Sequence, residues 1–205
     1  MVEPIKAVIW DMGGVILRTS GEESRRELAS EFKVSTDFLY KLVFNSPNAE
    51  KATVGLISET EHWNIVADTL GISRERIQEL QDRFWAKDFI DKELVQFIKN
   101  LKQKYKTGLL SNAWSGARQS LYHRNDWDLV FQYSMFSYEV RMRKPDAQIF
   151  ERILELMEVT AGETIFVDDL IENINGANAV GINGIQYKST QQVISDVSER
   201  LSYQA

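Results

Sequence analysis

The sequence predicts an α/β protein with a three-layer, Rossmann-like α/β/α core, a parallel sheet and an inserted all-helical cap. In the second half of the chain, short apolar segments alternate with amphipathic helical segments, which is typical of a parallel sheet with helices on both faces. The stretch from Glu22 to Lys104, in contrast, has helical periodicity and no strand signal. We therefore expect a core domain from residues 1–17 and 92–205 and a helical cap from residues 18–91.

The individual elements follow from local patterns. A β-branched, apolar run that ends in glycines predicts a first strand at Lys6–Trp10. The helices predicted next are Glu22–Lys33, Thr36–Asn45, Glu59–Leu70, Arg74–Ala86 and Lys92–Lys104. Ser58 and Glu61 form a capping-box pattern before the third of them, and Gly71 fits its end. The later elements are strand Thr107–Leu110, helix Ser115–His123, strand Phe131–Ser137, helix Asp146–Glu158, strand Thr164–Val167, helix Ile171–Val180, strand Ile185–Tyr187 and helix Thr190–Leu201.

Composition excludes several classes of function. The 205 residues carry a net charge of −6, with 24 Lys and Arg against 30 Asp and Glu, which argues against a general nucleic-acid binder. The absence of cysteine excludes disulfides, thiolate zinc sites and thiol nucleophiles. Neither a signal peptide nor an apolar run of membrane-spanning length is visible. We expect a soluble cytoplasmic protein, monomeric or homodimeric, that binds neither nucleic acid nor membrane.

Polar residues stand at the ends of the predicted strands or in the loops beyond them. They are Asp11, Ser111-Asn112, Lys144 and Asp168-Asp169. In a parallel α/β sheet, ligands bind outside the carboxyl ends of the strands, so these side chains are expected to converge. Carboxylates suit magnesium, while a lysine and a hydroxyl would hold phosphate oxygens. A carboxylate such as Asp11 at a strand end could also act as a nucleophile that forms an aspartyl-phosphate.

Four segments in this order resemble the motifs of one family. They are "WDMGGVIL", "GLLSNAW", "RKPDAQIF" and "FVDDLIENINGA". With a helical insertion between the first and the second, the chain resembles the haloacid dehalogenase-like hydrolase superfamily, in its helical-cap branch, over essentially its whole length. The resemblance implies a magnesium-dependent phosphatase whose substrate is a small phosphorylated metabolite, such as a sugar phosphate.

The resemblance also implies a role for individual residues. Asp11 would be the nucleophile and a metal ligand, and Lys144 would orient the nucleophile and the phosphate. Ser111 and Asn112 would bind the phosphate. Asp169 would be the main acidic Mg²⁺ ligand with Asp168 beside it, supported by Asn173. The cap would cover the pocket and choose the substrate.

Gly13 departs from the family pattern. The family's phosphatases usually have a second aspartate two residues after the nucleophile, which acts as general acid and base and whose backbone carbonyl binds magnesium. Gly13 keeps that carbonyl but lacks the carboxyl, and loss of general acid–base catalysis typically costs roughly 10²–10⁴-fold in rate. The resemblance includes a phosphatase subgroup with glycine here, with members similar to sugar-1-phosphate phosphatases, whose leaving group needs less protonation.

Two rival functions follow from Gly13. One is a 2-haloacid dehalogenase, which uses Asp11 as a nucleophile without metal, although the family's dehalogenases lack paired acids like Asp168-Asp169. The other is a non-catalytic protein that binds a ligand or a partner. Asp11, Lys144 and Asp168-Asp169 argue against this second alternative, because burying so many charges is costly and a non-catalytic site would not need them.

Each singled-out residue also has a structural interpretation. Asp11 could be a turn residue, and Lys144 could lie at the surface. Ser111-Asn112 and Asp168-Asp169 could cap the helices that follow them.

The histidines and tryptophans receive weaker assignments. His62 and His123 are predicted at the surface or at an element boundary, although His62 could in principle replace the missing acid. The tryptophans are predicted to be packing residues, with one exception. Trp114 follows Ser111-Asn112 closely and is expected to line the pocket.

Overall fold

The central sheet has the parallel arrangement that the sequence predicts. The computed structural model describes residues 4–124 and 127–202, apart from the side chains of 121–124. The strands in these ranges are β1 (Ala7–Trp10), β2 (Leu17–Thr19), β3 (Asp88–Ile90), β4 (Lys106–Ser111), β5 (Tyr133–Phe136), β6 (Thr164–Asp168) and β7 (Asn183–Gln186). Within these described ranges, five parallel strands form one sheet in the order β5-β4-β1-β6-β7. The predicted strands of this sheet are all present, with ends displaced by one or two residues. The predicted fold class is confirmed.

The α-helices of the described residues form two groups, one that covers both faces of the sheet and one that packs around a separate cluster. In chain order they are α1 (Glu23–Glu31), α2 (Thr36–Phe44), α3 (Pro47–Thr53), α4 (Glu59–Leu70), α5 (Ile77–Phe84), α6 (Lys92–Leu101), α7 (Ala117–Arg124), α8 (Ser137–Val140), α9 (Ala147–Met157), α10 (Ile171–Ala179) and α11 (Thr190–Ser202). In β1, Val8 and Trp10 belong to the hydrophobic cluster formed with α6 and α11, while Ala7 and Ile9 belong to the cluster formed with α9 and α10. Because side chains alternate along a strand, an apolar strand such as β1 supplies both layers. No helix in the described part of the chain is both long and apolar enough to cross a membrane.

Helices α1–α5, called the cap below, pack around a hydrophobic cluster of their own. Its buried residues include Leu28, Leu39, Trp63, Val66 and Phe84. The capping box of Ser58 and Glu61 at the start of α4 is confirmed, and Gly71 ends that helix with a φ of 69°. The division at residues 17/18 and 91/92 stays a prediction. The chain runs between the cap and the sheet through β2 and β3, which pair antiparallel.

Three local predictions in the cap are wrong. The stretch predicted to contain no strand includes β3, because three residues that pair with a distant strand leave no periodic signal. Helix α3 was not predicted, although Ser46 caps it and Pro47 occupies its first turn, which is a readable start signal. The segment predicted as the helix Arg74–Ala86 begins with a 3₁₀ turn and becomes α-helical only at α5.

A buried arginine joins the cap to the antiparallel pair. The Nη2 atom of Arg25 lies 3.0 Å from Oδ1 of Asp88 in β3, and Nε donates to the carbonyl of Phe84 at 3.1 Å. The Arg25 and Asp88 side chains are only 6% and 11% exposed. Removing one partner of such a pair leaves a desolvated charge without compensation, which destabilises the fold.

We predict that Arg25→Met lowers the free energy of unfolding by about 3 kcal/mol, because the Asp88 carboxylate then lies buried without its cation. Arg26→Met is the matched control, since the neighbouring side chain is 64% exposed and forms a solvated pair with Glu22. Urea denaturation of both variants measures the difference. Equal losses in the two variants would contradict the structural role of the Arg25–Asp88 pair.

Candidate active site

The carboxyl ends of three neighbouring strands bring the predicted site residues together. Asp11 directly follows β1, Ser111 ends β4 and Asp168 ends β6. Because β1 lies between β4 and β6, residues 100 positions apart in sequence, Asp11 and Ser111, end at the same edge. Lys144 reaches this edge from the segment between α8 and α9.

Lys144 lies at the centre of the site. Its Nζ atom is 2.7 Å from Oδ1 of Asp11 and 2.6 Å from Oδ2 of Asp168, and its side chain is 1% exposed. The interpretation of Lys144 as a surface residue is therefore wrong. Two neighbours hold this arrangement. Asn112 exchanges hydrogen bonds of 2.9 Å with the backbone N–H and C=O of Lys144, and Nδ2 of Asn173 donates to both oxygens of Asp168 at 3.0 Å.

The three carboxyl groups of the site can carry more negative charge than the single Lys144 ammonium neutralises. An oxygen from each of Asp11, Asp168 and Asp169 lies within 4.8 Å of the others. Burial raises the pKa of Asp11 to about 7, against the attraction of Lys144. Burial and the neighbouring Asp168 likewise raise the pKa of Asp169. Burial alone would lower the pKa of Lys144, but Asp11 and Asp168 raise it. The donor set fits a divalent cation that prefers oxygen ligands.

The interpretation of Asp168 as a helix-capping residue accounts for only one of its two carboxylate oxygens, and the interpretation of Asp11 as a turn residue does not account for its burial. Oδ1 of Asp168 accepts a hydrogen bond from the Leu170 N–H at 2.9 Å, so it does organise the turn before α10. Its other oxygen binds Lys144. Asp11 is 7% exposed and paired with Lys144, which a simple surface turn residue would not be.

Two adjacent glycines serve the site in different ways. A Cβ on Gly13 would have no atom within 4 Å, and no described N–H donates to the Gly13 carbonyl. Gly14 has a φ of +75°, and a Cβ there would overlap the Asp169 carboxylate. Gly14 is thus a site residue that the sequence analysis missed, although the glycine pair after Asp11 was a visible signal.

Ser111 and Trp114 lie in and after β4. Ser111 is 1% exposed, and its hydroxyl has no hydrogen-bond partner among the described residues. The Trp114 ring lies 4.6 Å from His62, 6.0 Å from Phe44 and 6.1 Å from Trp63, measured between ring centroids. The Trp114 side chain therefore extends from the loop after β4 and packs against the cap.

The surface assignment of His62 is wrong. Its ring is fully buried, and its Nε2 donates to the carbonyl of Val43 at 2.9 Å, which fixes the tautomer. Burial lowers the pKa of His62, so the ring is neutral at pH 7. The side chain of His123 lies outside the described residues. The packing role predicted for the tryptophans is confirmed for the three that are almost fully buried, Trp10, Trp63 and Trp127.

Known proteins resemble this chain over most of its length. It is 27% identical over 191 residues to a sesquiterpene phosphatase of Aspergillus oryzae, covering 90% of this chain and 91% of the relative. It is 24% identical over 188 residues to a phosphorylated carbohydrates phosphatase of Thermotoga maritima, covering 88% and 84%.

The fold resembles that of a HAD family enzyme of Bacteroides thetaiotaomicron solved in complex with magnesium and inorganic phosphate. That match has a TM-score of 0.73 at 23% identity and covers 90% of this chain and 94% of the other. Residues 5–181 of this chain match the family model described as haloacid dehalogenase-like hydrolase. Because this model matches well over half of the 205 residues, the chain belongs to the haloacid dehalogenase-like hydrolase family.

Proposed function

We propose that this hydrolase is a magnesium-dependent phosphatase that acts on a small phosphorylated metabolite through an aspartyl-phosphate on Asp11. The observation that carries the proposal is the cluster of Asp11, Asp168 and Asp169, which lie within 4.8 Å of one another beside a single ammonium. The phosphatase names of the two relatives, and the magnesium and phosphate held by the similar fold, support the same reaction class.

The residues present fit a magnesium ion. Asp11 and Asp169 offer carboxylate oxygens, Asp168 lies beside them, and Gly13 offers a carbonyl without a described partner. When bound, Mg²⁺ would supply positive charge that neutralises the phosphate oxygens and compensates the excess of carboxylates. A dehalogenase, which needs no metal, would have no use for Asp169 beside Asp168.

The protein's own groups would carry the transfer. A carboxylate oxygen of Asp11 attacks phosphorus and the ester bond breaks, after which water hydrolyses the aspartyl-phosphate. The Lys144 ammonium, 2.7 Å from Asp11, holds the nucleophile and faces the phosphate charge. The Ser111 hydroxyl donates to a phosphate oxygen. The Asn112 carboxamide keeps the Lys144 backbone in position, so we assign phosphate contact to the Asn112 backbone N–H.

The substrate would be bounded on one side by Trp114. This ring is half-buried between the loop after β4 and the cap, where it packs against His62 and Phe44. Such a wall suits the apolar face of a sugar ring as well as an isoprenoid chain. The relatives' names include both classes, a carbohydrate and a sesquiterpene phosphatase, so a substrate panel needs both.

We predict that the protein hydrolyses at least one ester of a panel of sugar phosphates and prenyl phosphates when Mg²⁺ is present. Chelator should abolish this activity, because three carboxylates would then repel the phosphate. Asp11→Asn should lower kcat by on the order of 10⁴-fold or more, since the nucleophile is lost. Asp37→Asn, at an exposed cap position, is the control. Release of phosphate measures the rates. Halide release from a 2-haloacid without metal would instead establish the rival dehalogenase.

We predict that Mg²⁺ stabilises the folded protein. Saturation to about 100 times the dissociation constant contributes about 2.7 kcal/mol, which corresponds to a rise in Tm of roughly 5–10 °C. Asp169→Asn should lose most of this rise without lowering the Tm of the metal-free protein, because the substitution removes one of three repelling carboxylates. Differential scanning calorimetry with and without Mg²⁺ measures both effects. An undiminished rise in Asp169→Asn would contradict the metal assignment.

If no other side chain already supplies the proton, we predict that Gly13→Asp speeds the hydrolysis of esters with poor leaving groups. A Cβ at residue 13 has open space, so the new carboxyl can be accommodated beside the site. General acid–base catalysis contributes typically 10²–10⁴-fold, and we expect about 10-fold because the new group is not pre-positioned. Gly13→Asn has the same shape without the acid and should give no gain. Equal rates for the two variants would mean that the wild-type site already has its proton donor.

A further inference from the structure

The site as described lacks a group that can protonate the leaving oxygen. Among the residues that the structure describes, the titratable side chains joined at this sheet edge are Asp11, Lys144, Asp168 and Asp169. Each is already assigned as nucleophile, ion-pair partner or metal ligand, and residue 13 is a glycine. A phosphatase with this site therefore needs a proton donor from elsewhere, unless its substrates have leaving groups that depart unprotonated.

The cap places one carboxylate against the loop that follows Ser111. Glu59 is the first residue of α4, and its backbone N–H donates to Oγ of Ser115 at 2.8 Å. Its Oε2 atom lies over Gly116, 2.9 Å from where a Cβ would stand. Ser115 and Gly116 are four and five residues beyond Ser111, on the same loop as Trp114. Glu59 is therefore attached to the segment that begins with the proposed phosphate-binding residues.

The surroundings of Glu59 suit proton transfer. The residue is half-buried, and no Lys, Arg or His of the described chain forms an ion pair with it. Burial raises the pKa of Glu59 above its ordinary value, against a hydrogen bond from the Trp63 side chain that lowers it. His62, one turn further along α4, is a poorer donor because its ring is neutral and its only N–H is bonded to the Val43 carbonyl.

We propose that Glu59 is the general acid and base of this enzyme, a role that rests on the proposed phosphatase function. In the first step Asp11 attacks phosphorus, the P–O bond to the leaving group breaks, and the leaving oxygen takes the Glu59 proton to form an alcohol. In the second step the Glu59 carboxylate takes a proton from the attacking water. The bond between Asp11 and phosphorus then breaks, which frees phosphate and restores both side chains.

The competing interpretation is structural. Glu59 occupies the first turn of α4, where a carboxylate interacts favourably with the helix dipole. A purely structural role would make Glu59→Gln slow all substrates alike. An acid–base role makes the loss depend on the leaving group, since nitrophenolate departs readily without a proton and an alkoxide does not.

The test compares Glu59→Gln with wild type on p-nitrophenyl phosphate and on an alkyl or sugar phosphate that the wild type hydrolyses. We expect kcat to fall by about 10²-fold or more on the alkyl ester and by less than about 3-fold on the nitrophenyl ester. Glu50→Gln, an exposed acid in the first turn of α3, is the matched control and should change neither rate. Thermal unfolding of each variant shows that its fold is retained.

A second variant separates proton transfer from positioning. Adding Gly13→Asp to Glu59→Gln should restore at least about 10-fold of the lost rate on the alkyl ester, because a carboxyl returns to the site from the other side. Equal losses on both esters, or no loss, would overturn the assignment of Glu59 while leaving the phosphatase function intact. Absence of wild-type turnover on every phosphate ester would overturn the phosphatase function itself.

Discussion

The buried contact of Lys144 with Asp11 and Asp168 is the interaction on which the site depends. The Lys144 ammonium bridges two carboxylates at the carboxyl ends of neighbouring strands, at 2.7 and 2.6 Å, and comes from a third segment of the chain. Burying these charges is costly, and an apolar cluster of the same volume would be at least as stable. Under the proposed function this cost has a chemical reason, because the arrangement would hold the Asp11 carboxylate in position and leave negative charge for a cation.

The loop after β4 connects this charge cluster to the cap. Asn112 binds the Lys144 backbone, and Trp114, two residues later, packs into the cap's hydrophobic cluster. Ser137 adds a second link, since its hydroxyl donates to the carbonyl of Thr53 in the cap at 2.6 Å and accepts from the N–H of Ala113. The cap is therefore joined to the strand-end site through contacts of the loop after β4.

The adjacent glycines Gly13 and Gly14 lack a side chain for different reasons. Gly14 is required by its positive φ and by the Asp169 carboxylate beside it, so its lack of a side chain is structural. Gly13 has ample space, so the missing carboxyl there is not a steric necessity. The chemistry must accommodate this omission, either through the leaving group or through a carboxyl that the cap provides.

The alternating core, the helical insertion and the strand-end positions of Asp11, Ser111 and Asp168 could be predicted from the residues alone, because periodicity and strand ends are local signals. The family resemblance implied a supporting role for Asn173, which in the structure donates to both oxygens of Asp168. The partners of Lys144, the burial of His62, the β2–β3 pair and the need for Gly14 could not be predicted in this way. Each of these depends on contacts between segments distant in sequence, such as Lys144 with Asp11 or Leu17 with Ile90. Local pattern specifies which faces are apolar, whereas packing decides which polar groups meet.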